Sequence, residues 1–502
     1  MTSITVYGGA GQIGGNIIHL VDQNSKASIL FDFGRSFASH SKFFAFPERP
    51  RTSVKQEILK TGLAPVIRGE DIYADLIAHE EVRAPESRKR DRRPKTEILY
   101  EIAEPKTPSS ITDLYISHSH SDHCGLAPIL RKDIRANMGE TAHVLYRSYY
   151  EAATRDSLEA RLYLTEEDLN SERKRNLARL SYHTFHGGDN LQPTDSTLTI
   201  EPCPVDHSVA GAYGFIIHTS SGPIAYTGDF RTHGTAKKLS EQFLEKIGAA
   251  GEIKALICEG TNLGESKVFS EKDVENTARS LIHQSLNQGN SFILVEVPQA
   301  DLDRIRTFAN IAEQLNLEAL VSKRIANHLH ELKAAESRFL EPLPTLGKDL
   351  RIFVERRYPT RRDRVFTKLE EAYGEALVDL KTIQEKEYKG FMIIDANESD
   401  LFTLRPPPNT LCVLSTCEPF TEEADFDFER WKNQLALFGV ILYHIHSSGH
   451  IHPLELQRFI HAVSPQILIP VHTEYPEVFR ELFESKTTKV EVPTKGVPID
   501  IE

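Results

Sequence analysis

Apolar and polar positions alternate over short stretches in the first half of the chain, then lengthen to a helical period in the second. Ser3–Tyr7, Asn16–Val21 and Ala27–Phe33 are β-rich runs, and the polar stretch between the last two predicts a hairpin. Ile111–Ser117, Leu198–Pro204, Gly214–Thr219, Pro223–Thr227 and Ile253–Cys258 read as further strands bounded by turn residues. Residues 36–110 are polar and charged, with one helical stretch at Ser53–Thr61, and read as an insertion on the face of a domain. Residues 126–182 carry helical segments, the longest at Glu166–Leu180.

From about residue 266 helices and strands alternate: helix Glu271–Asn287, strand Ser291–Val297, helix Leu302–Leu315, strand Leu317–Ser322. That order predicts βα units and a parallel sheet. Strands at Thr410–Ser415 and Gly439–His444 follow. The chain closes with helix Pro453–Ala462, strand Gln466–Val471, helix Glu474–Glu484 and strand Lys489–Val492. Repeats and low-complexity tracts are absent from the sequence.

One glycine pattern needs a decision. Gly9-Ala10-Gly11-Gln12-Ile13-Gly14 has dinucleotide-fingerprint spacing, with Asp32 placed for a ribose. The fingerprint requires a helix directly after the glycines, whereas Asn16–Val21 is β-rich and soon reaches a turn. We reject it; the glycines suit close backbone approach to a cleft.

Composition narrows the class. The 502 residues suffice for about three domains by the length prior. No apolar run is long enough to span a membrane, and the N-terminus has no basic, then apolar, signal pattern. Five scattered cysteines without a CxxC pair fit a reducing, cytoplasmic setting and argue against a disulfide framework. Lys+Arg 59 against Asp+Glu 72 gives a net charge of −13, which counts against indiscriminate nucleic-acid binding but permits a local basic channel.

The chemistry is concentrated in His118-Ser119-His120-Ser121-Asp122-His123. Side chains at i and i+2 share one side of an extended chain, so His118 and His120 can converge on one metal ion. The chain then turns, and Asp122 and His123 face a neighbouring site. Imidazole and carboxylate suit zinc and similar metals. His207, Asp229 and His472 each follow a predicted strand. Each alone reads as a core hydrogen bond, turn or cap; with the first motif they complete two ligand sets.

In these segments the chain resembles the metallo-β-lactamase superfamily and, within it, the β-CASP nucleases of the ribonuclease J type. The resemblance runs over nearly the whole chain. It rests on Gly8–Asn16, Asp32-Phe33-Gly34, the HxHxDH run, His207-Ser208, Thr227-Gly228-Asp229-Phe230, Glu259-Gly260-Thr261-Asn262, Ser448-Gly449-His450 and Pro470-Val471-His472. The series Glu259, His450, His472 around an insertion is the β-CASP part of the pattern. The resemblance implies an α/β fold: an αββα metallo-β-lactamase sandwich (1–265 and 446–502) with an inserted parallel βα β-CASP cap (266–445). It implies two divalent ions, zinc by default and manganese as the alternative. His118, His120, His207 and Asp229 would hold one; Asp122, His123, Asp229 and His472 the other, with Asp229 bridging. Glu259 and His450 would form an acid–imidazole pair beside the metals, and Asp122, Glu259 and His450 would serve catalysis.

The implied activity is cleavage of single-stranded RNA, exo- or endonucleolytic, by a hydroxide activated between two metals. His at 472 resembles the RNA-acting β-CASP members. A DNA exonuclease of the same fold, a small-substrate metallo-hydrolase and a non-catalytic scaffold are the competing readings. The cap and the Glu259/His450/His472 series count against the small-substrate enzyme, and the complete ligand set counts against the scaffold. Two departures stand out: with the sequence ending at Glu502, soon after the sandwich closes, the C-terminal domain typical of ribonuclease J is expected to be absent, and 36–110 is longer than expected. A homo-oligomer stays open. His183, His186, His444, His446, His452 and His461 default to structural or surface roles, with His446 the one to watch, and Cys124 to packing.

Substrate contacts are expected from Ser448 and Gly449 and from Arg361, Arg362 and Arg364 in the basic run 356–364. A second basic run spans 88–95. Both are interrupted by acid, and a solvated face is the competing reading. If Arg361, Arg362 and Arg364 contact phosphates, neutralising them will weaken RNA binding and flatten its salt dependence, as measured by binding titrations across ionic strength. An unchanged slope returns the run to a solvated face.

Overall fold

A computed structural model of the chain describes residues 1–44, 54–67, 70–83, 95–102, 107–152, 182–264, 269–337, 342–355, 364–417 and 422–502. The helix expected at Glu166–Leu180, the residues Arg361 and Arg362, and the side chain of Arg364 lie outside this description.

Two mixed sheets pack face to face. The first has seven strands, in the spatial order Pro498–Ile501, Thr2–Gly8, Ile17–Asp22, Ala27–Phe33, Asp113–Ile116, Arg135–Gly139, Tyr182–Phe185. The second has six: Lys489–Val490, Ile467–Val471, Ala255–Glu259, Gly222–Tyr226, Tyr213–Thr219, Thr199–Pro204. Period-two patterning explains the layering. Along Tyr213–Thr219, Phe215 and Ile217 point between the sheets, onto Phe31, Tyr115 and Tyr226, while Ile216 points outward. Outside the second sheet, Phe243, Phe459 and Phe479 cover that face from helices Lys237–Ala249, Pro453–Val463 and Pro476–Phe483. Outside the first lie helices Val54–Thr61 and Glu140–Ala152. The result is four layers, αββα.

The third sheet is all parallel, in the order Leu377–Asp379, Arg351–Val354, Glu318–Val321, Phe391–Ile394, Phe292–Glu296, Leu411–Leu414, Ile441–His444. Its central strands are apolar on both faces, as helices on both sides require. Helices Glu271–Asn287, Leu302–Gln314 and Lys323–Ala334 cover one face. Helices Leu380–Glu385, Leu401–Leu404 and Glu422–Leu437 lie with the other. The fold is the α/β architecture expected of a metallo-β-lactamase core with a β-CASP cap. Residues on either side of the parallel unit meet as neighbours in the second sheet, where Ala255–Glu259 pairs in parallel with Ile467–Val471.

The segment 36–110 does more than decorate a face. Val54, Ile58, Leu63, Ile72 and Tyr73 are buried in the same core as Leu30 and Phe33 of the first sheet. Its sparse apolar residues are spread too thinly to show that periodicity. Leu76–Arg83 and Lys95–Ile102 form an antiparallel hairpin. Among the described residues, no helix is long and apolar enough to cross a membrane.

Phe215 is fully buried between the sheets, its ring centroid 5.3 Å from that of Phe31 and 6.0 Å from that of Phe185. Phe215→Ala will destabilise the protein by about 3–5 kcal/mol in denaturant unfolding, because the rigid sheets cannot close the cavity.

Candidate metal centre

Most candidate ligands leave strands at one edge of the sandwich, and Asp122 and His123 sit in the short helix Ser121–Cys124 that follows there. His118 and His120 follow Asp113–Ile116, His207 follows Thr199–Pro204, Asp229 follows Gly222–Tyr226, and His472 follows Ile467–Val471. Glu259 ends its own strand, in register with Val471. This is the carboxyl edge, where α/β sheets present their ligand sites.

The glycine-rich first loop works here. His472 N–H donates to the Gly9 carbonyl at 2.8 Å. A Cβ on Gly14 (φ 74°) would lie 2.8 Å from Asp122 Oδ2, and one on Gly34 only 1.6 Å from the Asp122 carbonyl oxygen. Those two positions must lack side chains for the Asp122 turn to seat.

The donor atoms converge. His120 Nδ1 lies 3.1 Å from His118 Nε2 and 3.1 Å from His207 Nε2. Asp229 Oδ2 lies 3.0 Å from His123 Nε2, 3.6 Å from His472 Nε2, 3.7 Å from His118 Nε2 and 4.0 Å from His207 Nε2. Asp122 Oδ2 lies 3.1 Å from His472 Nε2 and 3.9 Å from His123 Nε2. Groups able to hold an ion are His118/His120/His207, His118/His123/Asp229, Asp122/His123/His472 and Asp229/Glu259/His450/His472.

Four of these imidazoles have their other nitrogen committed. Asp32 accepts from His123 Nδ1 at 2.8 Å. It also takes the Ser117 hydroxyl at 2.9 Å, so that oxygen can accept from His118 Nδ1 at 3.0 Å. The Gly449 carbonyl accepts from His207 Nδ1 at 2.6 Å. Thr261 Oγ1 donates to Glu259 at 2.7 Å and so can accept from His472 Nδ1 at 2.8 Å. Each partner engages Nδ1–H and leaves Nε2 facing the cluster, the arrangement that orients histidine toward a metal.

The electrostatics agree. Burial, then neighbouring imidazoles, push His118 and His207 well below the ordinary histidine value, so both are neutral ligands. Burial opposes charge on Asp229, yet His123, His472 and His450 hold it well below the carboxylate range. His123 goes the other way: against its burial, Asp229, Asp32 and Asp122 raise it well above its ordinary value. The carboxylates thus draw positive charge to this point. Among the described residues, two buried atoms of the cluster, His123 Nε2 and Asp229 Oδ1, have no assigned hydrogen-bond partner. Orphaned donors on a His/Asp set fit divalent metal.

Glu259 Oε2 lies 3.0 Å from His450 Nδ1. Burial opposes the charged imidazole, but Glu259 and Asp229 push His450 up to about 9. The side chains of His450 and Asp122 are 20% and 16% exposed, against 0–1% for His118, His123, His207 and Asp229, so solvent reaches the cluster from their side. Ser448 Oγ pairs with Asn262, and the Gly449 carbonyl serves His207, so the contacts seen for these two are positional.

Sequence reasoning left several partners without a role. Asp32, fully buried at φ 54°, had a signal: an acid inside the apolar run Phe31-Asp32-Phe33. Thr261 stood two residues after Glu259 without any periodicity to mark it.

A four-layer αββα sandwich with a His/Asp cluster at its carboxyl edge is an architecture of metallo-hydrolases, and two stretches of the chain match families of the metallo-β-lactamase type. Residues 92–285 match the Beta-lactamase superfamily domain, and residues 441–493 match the Zn-dependent metallo-hydrolase RNA specificity domain. Ribonuclease J of Sinorhizobium meliloti is 24% identical over 72% of this chain and 57% of its own length. Ribonuclease J of Mycoplasma genitalium is 24% identical over 73% and 58%, and that of Helicobacter pylori 20% identical over 95% and 56%. The chain thus spans little more than half the length of these curated relatives. The crystal structure of a protein of unknown function from Enterococcus faecalis V583 has the same fold, with a TM-score of 0.68, 20% identity and 99% of each chain covered.

Gly34→Ala will lower bound metal per chain, read by elemental analysis, because its Cβ displaces the Asp122 turn. Gly248→Ala, with nothing within 4 Å of its Cβ, will keep the metal and stay within about 1 kcal/mol of wild-type stability.

Proposed function

We propose that the chain is a metal-dependent phosphodiesterase that cleaves single-stranded RNA, as an exo- or endoribonuclease. The observation that carries this is the match of 441–493 to an RNA specificity domain, which spans both His450 and His472. The ribonuclease J relatives support it, as does the Glu259–His450 pair set against the ligand cluster. We assign His118, His120, His207 and Asp229 to one ion and Asp122, His123, Asp229 and His472 to the other, with zinc favoured by the family description. We also place the division between sandwich and cap near residues 265 and 446.

Bound divalent ions would supply Lewis acidity toward a phosphodiester and its attacking water. The chain's own groups supply the rest. Asp229 and Asp122 accumulate negative charge where positive charge must be held. His450 has Nδ1 taken by Glu259, which leaves Nε2 as the nitrogen to donate a proton to the leaving oxygen or to contact the scissile phosphate. Divalent ions nearby would pull its value of about 9 back toward neutrality, where an acid works best. Exposure of His450 and Asp122 on one side gives the strand its approach.

The test is a matched assay on 5′-monophosphorylated single-stranded RNA and the same sequence as DNA, each with zinc or manganese. RNA will be hydrolysed, and Asp122→Ala will abolish turnover while leaving the circular dichroism spectrum intact. DNA turnover alone would replace the reading with the DNA exonuclease, and full activity in Asp122→Ala would sink the two-metal assignment. His450→Ala will lower kcat by about 100-fold or more with metal content retained; loss of metal instead would make His450 a ligand.

A further inference from the structure

Behind the cluster lies a buried set of charges that the reaction chemistry does not use. Arg231 comes from the sandwich, two residues after Asp229, and Arg304 from helix Leu302–Gln314 of the parallel unit; both are 0% exposed. Glu271, in the first turn of helix Glu271–Asn287, joins them. Glu271 Oε1 accepts from Arg231 Nη1 at 3.0 Å and from Arg304 Nη2 at 2.8 Å, while Oε2 accepts from Arg304 Nε at 3.1 Å. Arg231 Nε also donates to Asp206 Oδ1 at 3.1 Å, and Asp206 directly precedes His207.

Arg231 Nη2 reaches Asp303 Oδ2 at 3.5 Å, and further donors of the two guanidinium groups go to one short loop. Arg304 Nη2 donates to the Ser447 carbonyl at 3.2 Å. Arg231 Nη1 reaches the Ser448 carbonyl at 3.4 Å, where His233 Nε2 also donates at 2.9 Å. The next carbonyl, of Gly449, is the acceptor of His207 Nδ1, and the next residue is His450. Successive carbonyls of this loop are therefore aimed, one by one, at donors from both sides of the interface. Arg304 Nη1 adds Ser415 of the parallel sheet, at 2.6 Å to the carbonyl and 2.7 Å to the hydroxyl.

Adhesion alone does not call for this arrangement. A buried Arg–Glu–Arg set recovers little more than its desolvation cost, and apolar side chains of similar volume hold an interface as well. What it adds is direction, since a guanidinium presents its donors in a fixed fork. We propose that Arg231, Glu271 and Arg304 are positioning residues: they fix loop 447–450 so that docking of the parallel unit on the sandwich and alignment of His207 and His450 are one event. For turnover, the proposal rests on the hydrolase reading above; for metal affinity, it does not.

The experiment uses the full chain with Glu271→Gln and Arg304→Lys. The first keeps shape but removes the shared charge; the second keeps a cation but cannot span Ser415 and Ser447. Zinc affinity is read by competition with a chromogenic chelator, kcat and KM on short RNA, and folding by thermal melt, all below the melting point. Zinc affinity and kcat per folded molecule will each fall about tenfold or more, with KM within about threefold. Wild-type zinc affinity and kcat in folded variants would overturn the proposal, and so would failure of both variants to fold, which would assign the set to stability alone. If wild-type protein cleaves no RNA, the ribonuclease reading fails while the zinc arm still decides this one.

Discussion

The centre depends on a constraint one layer out from its ligands: a neutral imidazole presents a lone pair at Nε2 when its proton sits on Nδ1, and a hydrogen-bond acceptor at Nδ1 holds it there. Asp32, Ser117, Gly449 and Thr261 meet that constraint for His123, His118, His207 and His472. Each acceptor is itself held. Asp32 takes the Ser117 backbone N–H at 2.7 Å and the Tyr226 hydroxyl at 2.5 Å, and Thr261 leans on Glu259. A charge buried as deeply as Asp32 is tolerable because its hydrogen bonds are satisfied.

The rest of the architecture can be read as the means of placing those acceptors. The first sheet supplies Asp32 and Ser117, the second supplies Thr261, and the returning loop supplies Gly449. Two residues hold left-handed backbone to do it, Asp32 at φ 54° and His472 at φ 52°. Non-glycine residues in that region carry strain and persist where the surroundings over-determine them. His472 is over-determined by its N–H bond to Gly9 and by Thr261 at its ring.

Much of this was legible in the chain. Period-two alternation gave most sandwich strands to within a residue or two, and the capped helix Glu271–Asn287 was read at its actual bounds. The converging histidines were visible because ligand spacing is local in His118–His123. Other parts carried no local signal. Pro498–Ile501 is a strand because it pairs with Thr2–Gly8, a contact between chain ends that no window contains. Arg135–Gly139 and Tyr182–Phe185 are short and weakly apolar, and only their neighbours in the sheet define them. Arg231, Glu271 and Arg304 look like ordinary surface charges in sequence, since burial of a charge is decided by partners far along the chain.

The split of the sandwich around the parallel unit has a consequence for synthesis. The strands of the parallel sheet lie in one continuous stretch, Phe292 to His444, so that unit can form as soon as it clears the ribosome. The sandwich cannot: its second sheet waits for Ile467–Val471 and Lys489–Val490, and the edge of its first sheet for Pro498–Ile501. His118, His120 and His207 emerge early, and His472 only after the whole insertion has been made. Vectorial synthesis therefore imposes an order on the centre: His118, His120, Asp122, His123, His207 and Asp229 have all been made before His472, the last ligand, is translated.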